Sequence, residues 1–239
     1  MTTSVPYRAF CDQIVLHDIL VPITEMDVSA VIWRSLRSGE YEAKEARSVR
    51  SLLRSGDRVL ELGTGLGIIT TIMAKTPGVR IWSFDANPAV IALARRVLEA
   101  NDIQNVVLEQ GLLTAGQAGD HVFYVRPDFW MSSMIEEQGS YLTTIPLKSS
   151  NVDDFIAKES VNVLVMDIEG AERELLSHAR LDGVDRVFLE LHDHLYGLAG
   201  VRKIFAAMDR LGFSYDPRAS SGPCVLFLRD DGLIRPYEE

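Results

Sequence analysis

Val59-Leu60-Glu61-Leu62-Gly63-Thr64-Gly65-Leu66-Gly67 is the stretch that decides the fold. It reads as a short apolar strand running into a glycine-rich turn. A helix follows from Ile68 to about Lys75, stopped by Pro77-Gly78. Glycines after a strand let the backbone bend sharply and approach a ligand with no Cβ in the way. Glu61, two residues ahead of the first glycine, constrains what that ligand can be. It would repel a pyrophosphate and welcome a cation. Spacing agrees with this. The dinucleotide fingerprint wants glycines at i, i+2 and i+5. Here Gly63, Gly65 and Gly67 stand at i, i+2 and i+4, with Ile68 next.

A second acid extends the argument. Val79 to Phe84 reads as the next strand, with Asp85 at its carboxyl end. Asn87-Pro88 is an N-cap followed by proline at the first helical position, opening a helix to about Ala100. An acid there, about 20 residues past the glycine turn, suits the two hydroxyls of a ribose, and Asp85 suits a helix cap as well. The pattern acidic-x-Gly-x-Gly-x-Gly resembles motif I of the class I S-adenosylmethionine-dependent methyltransferases. The resemblance implies a ligand with a sulfonium and an ammonium and no phosphate. It places that cofactor on Glu61, Gly63, Thr64, Gly65 and Gly67. Its ribose falls to Asp85 and Ala86, and its adenine between Gln110 and Gly111.

Bulk properties fit an ordinary soluble enzyme. A chain of 239 residues with 47% hydrophobic and 24% charged residues can form one α/β domain. A formal net charge of −10 speaks against an extended nucleic-acid surface, which needs a basic patch. Cys11 and Cys224 are the only cysteines, so neither a disulfide framework nor a zinc spacing is present. Met1 to Phe10 lacks a positive n-region and an apolar h-region, and no apolar run is long enough to span a membrane. The cytoplasm is the default expectation, without a membrane partner.

The remainder alternates strand and helix: strands at Asn105–Glu109, Val161–Met166 and Arg186–Leu191, and helices near Gly170–His178 and Gly200–Leu211. Phe213–Pro217 and Cys224–Arg229, separated by Ser220-Ser221-Gly222-Pro223, read as a terminal hairpin. The expected fold is a Rossmann-like, seven-stranded, mostly parallel sheet closed by an antiparallel hairpin at one edge, which is the methyltransferase variant. Residues 1–239 read as one domain, with 1–50 a largely helical appendage and 112–150 an insertion between the third and fourth strands. The insertion carries Val122-Phe123-Tyr124-Val125, Phe129-Trp130-Met131-Ser132-Ser133-Met134 and Tyr141 to Ile145, suggesting extra strands and an aromatic loop. Long insertions of this kind serve as lids or binding loops, or as plain extensions of a sheet edge.

The chemistry gathers at the carboxyl ends of strands four and five, where open α/β sheets bind ligands. Strand four runs into Asp167-Ile168-Glu169-Gly170-Ala171-Glu172 and strand five into Glu190-Leu191-His192. If the strands continue, a period of two puts Asp167 with Glu169, and Glu190 with His192. Buried carboxylates this close call for a compensating cation. Glu169 and Glu172 also suit the solvated first turn of a helix. His17, His121 and His178 read as ordinary surface or packing residues.

Asp167-Ile168-Glu169-Gly170-Ala171-Glu172 followed by Leu189-Glu190-Leu191-His192 resembles the signature of the FkbM-type methyltransferases. Upstream, Gly39-Glu40-Tyr41-Glu42 is similar to that family's Gly-x-Tyr-Glu entry segment. Ser132-Ser133 resembles the serine pair of its insertion, and Val152-Asp153-Asp154-Phe155 its Leu-Asp-Asp-like stretch. The first motif departs from the family's frequent Asp-x-Gly-Ala-Asn-x-Gly, which marks a divergent branch.

The resemblance implies methyl transfer, usually to an oxygen of a natural product or sugar. It adds Tyr41 and Asp167 to the cofactor contacts, and Glu42, Phe129, Trp130, Ser133 and Glu169 to the acceptor wall. An alcohol is a poor nucleophile at neutral pH. His192 is therefore expected as the general base, oriented by Asp167 or Glu190. Magnesium or manganese held by Asp167, Glu190 and His192 is the rival. Other readings are methylation of nitrogen or of a macromolecule, a nicotinamide enzyme, and a non-catalytic S-adenosylmethionine-binding module. A small-molecule acceptor is the expected partner; oligomeric state is not legible.

Overall fold

The computed structural model describes residues 14–232; the expectations placed on Met1–Phe10 and Cys11 lie outside them. The chain enters through a small hairpin, β1 (Ile14–Leu16) and β2 (Ile19–Val21), before helices α1 (Ala30–Ser38) and α2 (Ala43–Leu52). Among the described residues, the expected helical appendage is helical only from residue 30. Residues 14–21 form a β-ribbon whose Ile14, Leu16, Ile19 and Val21 are buried, a period-two pattern too short to register.

The main sheet is built from β3 (Arg58–Leu62), β4 (Arg80–Asp85) and β5 (Val106–Gln110), alternating with α3 (Ile68–Ala74) and α4 (Pro88–Ala100). A separate three-stranded sheet follows: β6 (Leu112–Thr114), β7 (Asp120–Val125) and β8 (Thr143–Asn151). The chain then returns through α5 (Val152–Glu159), β9 (Val163–Met166), α6 (Glu172–His178), β10 (Arg186–Glu190) and α7 (Asp193–Arg210). It ends on the hairpin β11 (Phe213–Ser221) and β12 (Cys224–Arg229). The seven strands lie in the order β11-β12-β10-β9-β3-β4-β5. β3, β4, β5, β9 and β10 are parallel, and β12 and β11 run antiparallel at one edge. This is the Rossmann-like methyltransferase sheet that the sequence pattern predicts.

Both faces of the sheet are apolar. In β9, Val163 and Val165 join one buried cluster, with Ile32, Val49, Ile68 and Val97 from α1 to α4. Leu164 and Met166 join the other, with Ile156, Leu175, Leu176 and Ile204 from α5 to α7. A strand buried on both faces reads as a continuous apolar run, as β9 does. At the sheet's amino end, Arg186 donates to Asp57 at 2.6 and 2.8 Å, a buried pair far from the carboxyl-end crevice.

Helix α7 begins at Asp193, earlier than the periodicity indicates, because it runs through a kink at Gly197, whose φ is 63°. Strand β9 ends at Met166, so Asp167 and Glu169 do not share a strand face. Glu169 instead takes a left-handed φ of 51° in the turn before α6.

Candidate active site

The glycine turn is shaped by its neighbours. Gly63 has a φ of 88°, and its N–H donates to the Phe84 carbonyl at 2.9 Å. Gly67 lets α3 close on Ala94 of α4, whose Cβ would lie 3.1 Å from an added methyl. The Gly65 N–H donates to Asp85 Oδ2 at 3.3 Å, and Asn87 N–H donates to Oδ1 at 2.8 Å. Burial pushes the Asp85 carboxyl up to about 6 against those hydrogen bonds.

The carboxyl ends of β3, β4 and β9 open into a cavity of about 410 Å³. Tyr41, Glu42, Gly63, Gly65, Asp85 and Ala86 line it, as do Gly111, Phe129, Trp130, Asp167 and Glu169. Those sequence-nominated residues come together in one wall. Others do not. Gln110 turns back to donate to the Ala86 carbonyl at 3.2 Å. Thr64 is buried against Ser83, their hydroxyls 2.7 Å apart.

Glu61 is sealed beneath the turn at 2% exposure, taking hydrogen bonds from Thr70 at 2.6 Å and from Ser83. Burial pushes its carboxyl up to about 7. It braces the strand–helix junction from below, so it does not stand on the cavity wall as expected. Ser133 also points away, tied within the insertion by the Ile135 N–H at 3.1 Å and by Gln138; its neighbour Ser132 borders the cavity instead.

Behind Asp167 and Glu169 stands His192, 4% exposed. Its Nε2 lies 3.3 Å from Asp167 Oδ1 and 3.5 Å from Glu169 Oε2. Its Nδ1 lies 3.1 Å from Glu172 Oε1, an ion-pair contact without straight hydrogen-bond alignment. Burial alone would lower the imidazole; Asp167 and Glu172 outweigh it and push it up to about 11. Burial and Asp167 push the Glu169 and Glu190 carboxyls well above the usual range. An imidazole so placed holds its proton at neutral pH, which does not suit the expected role of free base.

Asp167, Glu190 and His192 offer ligand atoms within 4.8 Å of one another, as a metal trio would. Both ring nitrogens already face carboxylate oxygens, so a protonated imidazole would compensate the cluster's charge as a metal would.

Glu172, fully buried, is no solvated first-turn acid. It accepts from the Ile168 and Gly170 N–H groups, both at 3.0 Å, while facing His192. The sequence reading passed over two further residues. The Tyr196 hydroxyl accepts from the His192 N–H at 2.6 Å, and its i+4 spacing on α7 was the available signal. Arg126, 3% exposed, gathers the Tyr124, Met131, Ile135 and Glu136 carbonyls at 2.7–3.3 Å and so sets the shape of the aromatic loop. No local pattern marks it. His121 and His178, expected to be ordinary, border the cavity, and His17 bonds the Tyr41 carbonyl at 2.8 Å.

The family model for the methyltransferase FkbM domain matches residues 67–215. The chain belongs to the FkbM methyltransferase family. Within curated proteins, this FkbM chain is 37% identical over 71 residues to a ribosomal protein L11 methyltransferase of Chloroflexus aurantiacus, covering 29% of this chain and 22% of that protein. It is 34% identical over 71 residues to a protein-L-isoaspartate O-methyltransferase of Rhizobium meliloti, covering 30% and 34%. The matches thus span about a fifth to a third of those relatives' length. Among solved structures, a precorrin-6y C5,15-methyltransferase from Geobacter metallireducens is similar with a TM-score of 0.48 at 10% identity, over 78% of this chain and 86% of that one. No helix among the described residues is long and apolar enough to cross a membrane.

Proposed function

We propose that this FkbM-family chain is an S-adenosylmethionine-dependent methyltransferase acting on a hydroxyl of a small organic molecule, such as a natural product or sugar. The observation that carries the reading is the cavity wall. A glycine turn too crowded for any Cβ at Gly63, and Asp85 next to it, lie beside an aromatic and acidic chamber at the end of β9. The residues fit such a cofactor. Gly63 and Gly65 line the cavity where its amino-acid end would lie, Asp85 presents a carboxylate to ribose hydroxyls, and Ala86 and Gly111 flank an adenine. When bound, the cofactor supplies an activated methyl group on a sulfonium.

This chain's own residues do the rest. Trp130 and Phe129 hold the acceptor and exclude water. Glu169 reaches the cavity with a carboxyl raised toward the range of a useful base, and it accepts the hydroxyl proton. His192 stays protonated and fixes Asp167 and Glu169 in place, itself positioned by Glu172 and Tyr196. No metal takes part in this scheme. The net charge of −10 favours a small acceptor over a nucleic acid.

The test is calorimetry followed by turnover. Wild-type protein titrated with S-adenosylhomocysteine and with NAD should bind the first only. A panel of hydroxyl and amine acceptors with methyl-labelled cofactor should show transfer to hydroxyls. NAD binding without S-adenosylhomocysteine binding, or transfer to amines alone, would overturn the reading.

A further inference from the structure

Glu42 is an anomaly that the wall of an acceptor pocket does not explain. It precedes α2 with a left-handed φ of 50°, a conformation that costs a non-glycine residue about 1–3 kcal/mol and tends to mark functional positions. The backbone around it is held on both sides. His17 bonds the Tyr41 carbonyl at 2.8 Å, and the Ala46 N–H donates to the Glu42 carbonyl at 2.9 Å. So held, the side chain reaches over the glycine turn. Its Oε1 lies 3.2 Å from where a Cβ on Gly65 would stand, with the Tyr41 hydroxyl 3.4 Å from the same point.

Its other oxygen is the sharper observation. Oε2 is buried without a hydrogen-bond partner, and no cation of the described residues pairs with Glu42. The charged groups facing it are acids: Glu45 from α2, Asp167 beyond β9 and Glu61 under the turn. Burial and these neighbours hold its carboxyl well above the ordinary range. The Tyr41 hydroxyl bonds this carboxyl, but a carboxylate oxygen buried with no partner is still costly, and the residue lines the cavity rather than a sealed pocket. The missing partner is therefore a group that arrives with a ligand, a cationic hydrogen-bond donor beside Gly65.

We infer that Glu42 binds the α-ammonium of the cofactor's amino-acid end, the task that the sequence motif suggests for Glu61. Glu61 is set back from that position: it is 2% exposed, Thr70 and Ser83 both donate to its Oε2 below the turn, and it does not line the cavity that Glu42 lines. This inference rests on the S-adenosylmethionine reading above. An ammonium against a carboxylate in a dry site is a charge-assisted hydrogen bond, among the stronger kinds. It also neutralises one of the acids that crowd the turn.

The experiment compares two ligands and two proteins by calorimetry. S-adenosylhomocysteine carries the ammonium; 5′-methylthioadenosine lacks the whole amino-acid end. Glu42→Gln should weaken S-adenosylhomocysteine by roughly 10- to 100-fold while leaving 5′-methylthioadenosine within about threefold. Its melting temperature should be no lower than wild type, since the amide keeps an oxygen for Tyr41 and removes an acid from among Glu45, Asp167 and Glu61. A desamino analogue of S-adenosylhomocysteine should bind wild-type protein more weakly by a similar factor, a readout that needs no variant. Unchanged S-adenosylhomocysteine affinity in Glu42→Gln, or full affinity of the desamino analogue for wild type, would overturn the inference while leaving the cofactor reading intact. Equal weakening of both nucleosides would also overturn it, because Glu42 would then only shape the turn. Wild-type protein that binds neither nucleoside would bring down both readings.

Discussion

A Cβ added to Gly63 would stand 1.8 Å from the carbonyl oxygen of Asp167. The glycine turn after β3 and the acidic turn after β9 are packed against each other, backbone to backbone. That contact ties the proposed cofactor cradle to the proposed acceptor chamber: neither turn can shift alone. Gly63→Ala should therefore do more than crowd a ligand. Strain at a left-handed φ adds to a clash with main chain that cannot rotate away. The expected loss is roughly 2–5 kcal/mol of unfolding free energy in urea titration. S-adenosylhomocysteine binding should fall with it. A variant with wild-type stability would show that the two turns are not rigidly coupled.

Glu61 makes stability depend on pH. Its folded carboxyl sits at about 7, above the ordinary 4.5, because it is buried. The folded state then holds a proton that the unfolded chain releases, so this group's contribution is full below about 4.5 and is lost as pH rises through about 7. Between those limits the loss is on the order of 3 kcal/mol. Melting temperature of the ligand-free protein should fall from pH 5 to pH 8. Glu61→Gln should flatten that slope. An equally steep slope in the variant would assign the dependence to other raised carboxyls, Glu169, Glu190 and Asp85 among them.

Much of this was legible in the chain, and the failures have physical causes. The central strands β3, β4, β9 and β10 were readable because burial on both faces makes them continuous apolar runs, and the glycine turn ending at Gly67 and the cap at Asn87 marked the helices that follow β3 and β4. The ribbon at Ile14–Val21 was not, because three-residue strands carry too few alternations. In the site, residue types were readable but directions were not. Glu61 and Glu42 are both acids near a glycine turn. Only packing shows that Thr70 and Ser83 bury the first while the second faces the cavity. His192 was legible as chemically important. Its role as a held cation depends on Glu172, whose turn into the core follows from the left-handed backbone at Glu169 and Gly170.

Removing the acid that accepts the proton should differ from removing the cation that holds it. Glu169→Gln should cut kcat by about 10²–10⁴-fold with little change in cofactor affinity. His192→Asn should also lower kcat, and in addition should lower stability, since it leaves Asp167, Glu169 and Glu172 without their cation. In wild type the rate should climb from neutral toward alkaline pH, because the raised Glu169 carboxyl must first lose its proton. A rate that is flat over that range, with Glu169→Gln fully active, would move the base elsewhere.

A chelator separates the imidazolium from a metal. With the His192 proton serving as the cluster's cation, exhaustive treatment with EDTA should leave turnover unchanged, and added magnesium or manganese should not raise it. Activity that vanishes on chelation and returns with either ion would reassign Asp167, Glu190 and His192 as ligands, since their donor atoms lie close enough to share one.

The insertion is where acceptor choice should be decided. Trp130 stacks on Tyr41 with ring centroids 6.0 Å apart and planes 22° from parallel, so one aromatic pair joins the insertion to the entry segment across the cavity. Trp130→Ala removes binding surface without touching a reacting atom. It should raise KM for the acceptor by roughly tenfold or more while kcat stays within a few-fold. Arg126→Ala should produce the same KM effect from a distance, because four loop carbonyls lose their shared donor and Trp130 is no longer held in place. It should also cost about 1–3 kcal/mol of stability, which Trp130→Ala at the cavity edge should approach less closely. Steady-state kinetics on both variants with one acceptor would decide this. If kcat fell and KM held, the aromatic loop would belong to the chemical step, and the acceptor would have to lie nearer the glycine turn than proposed.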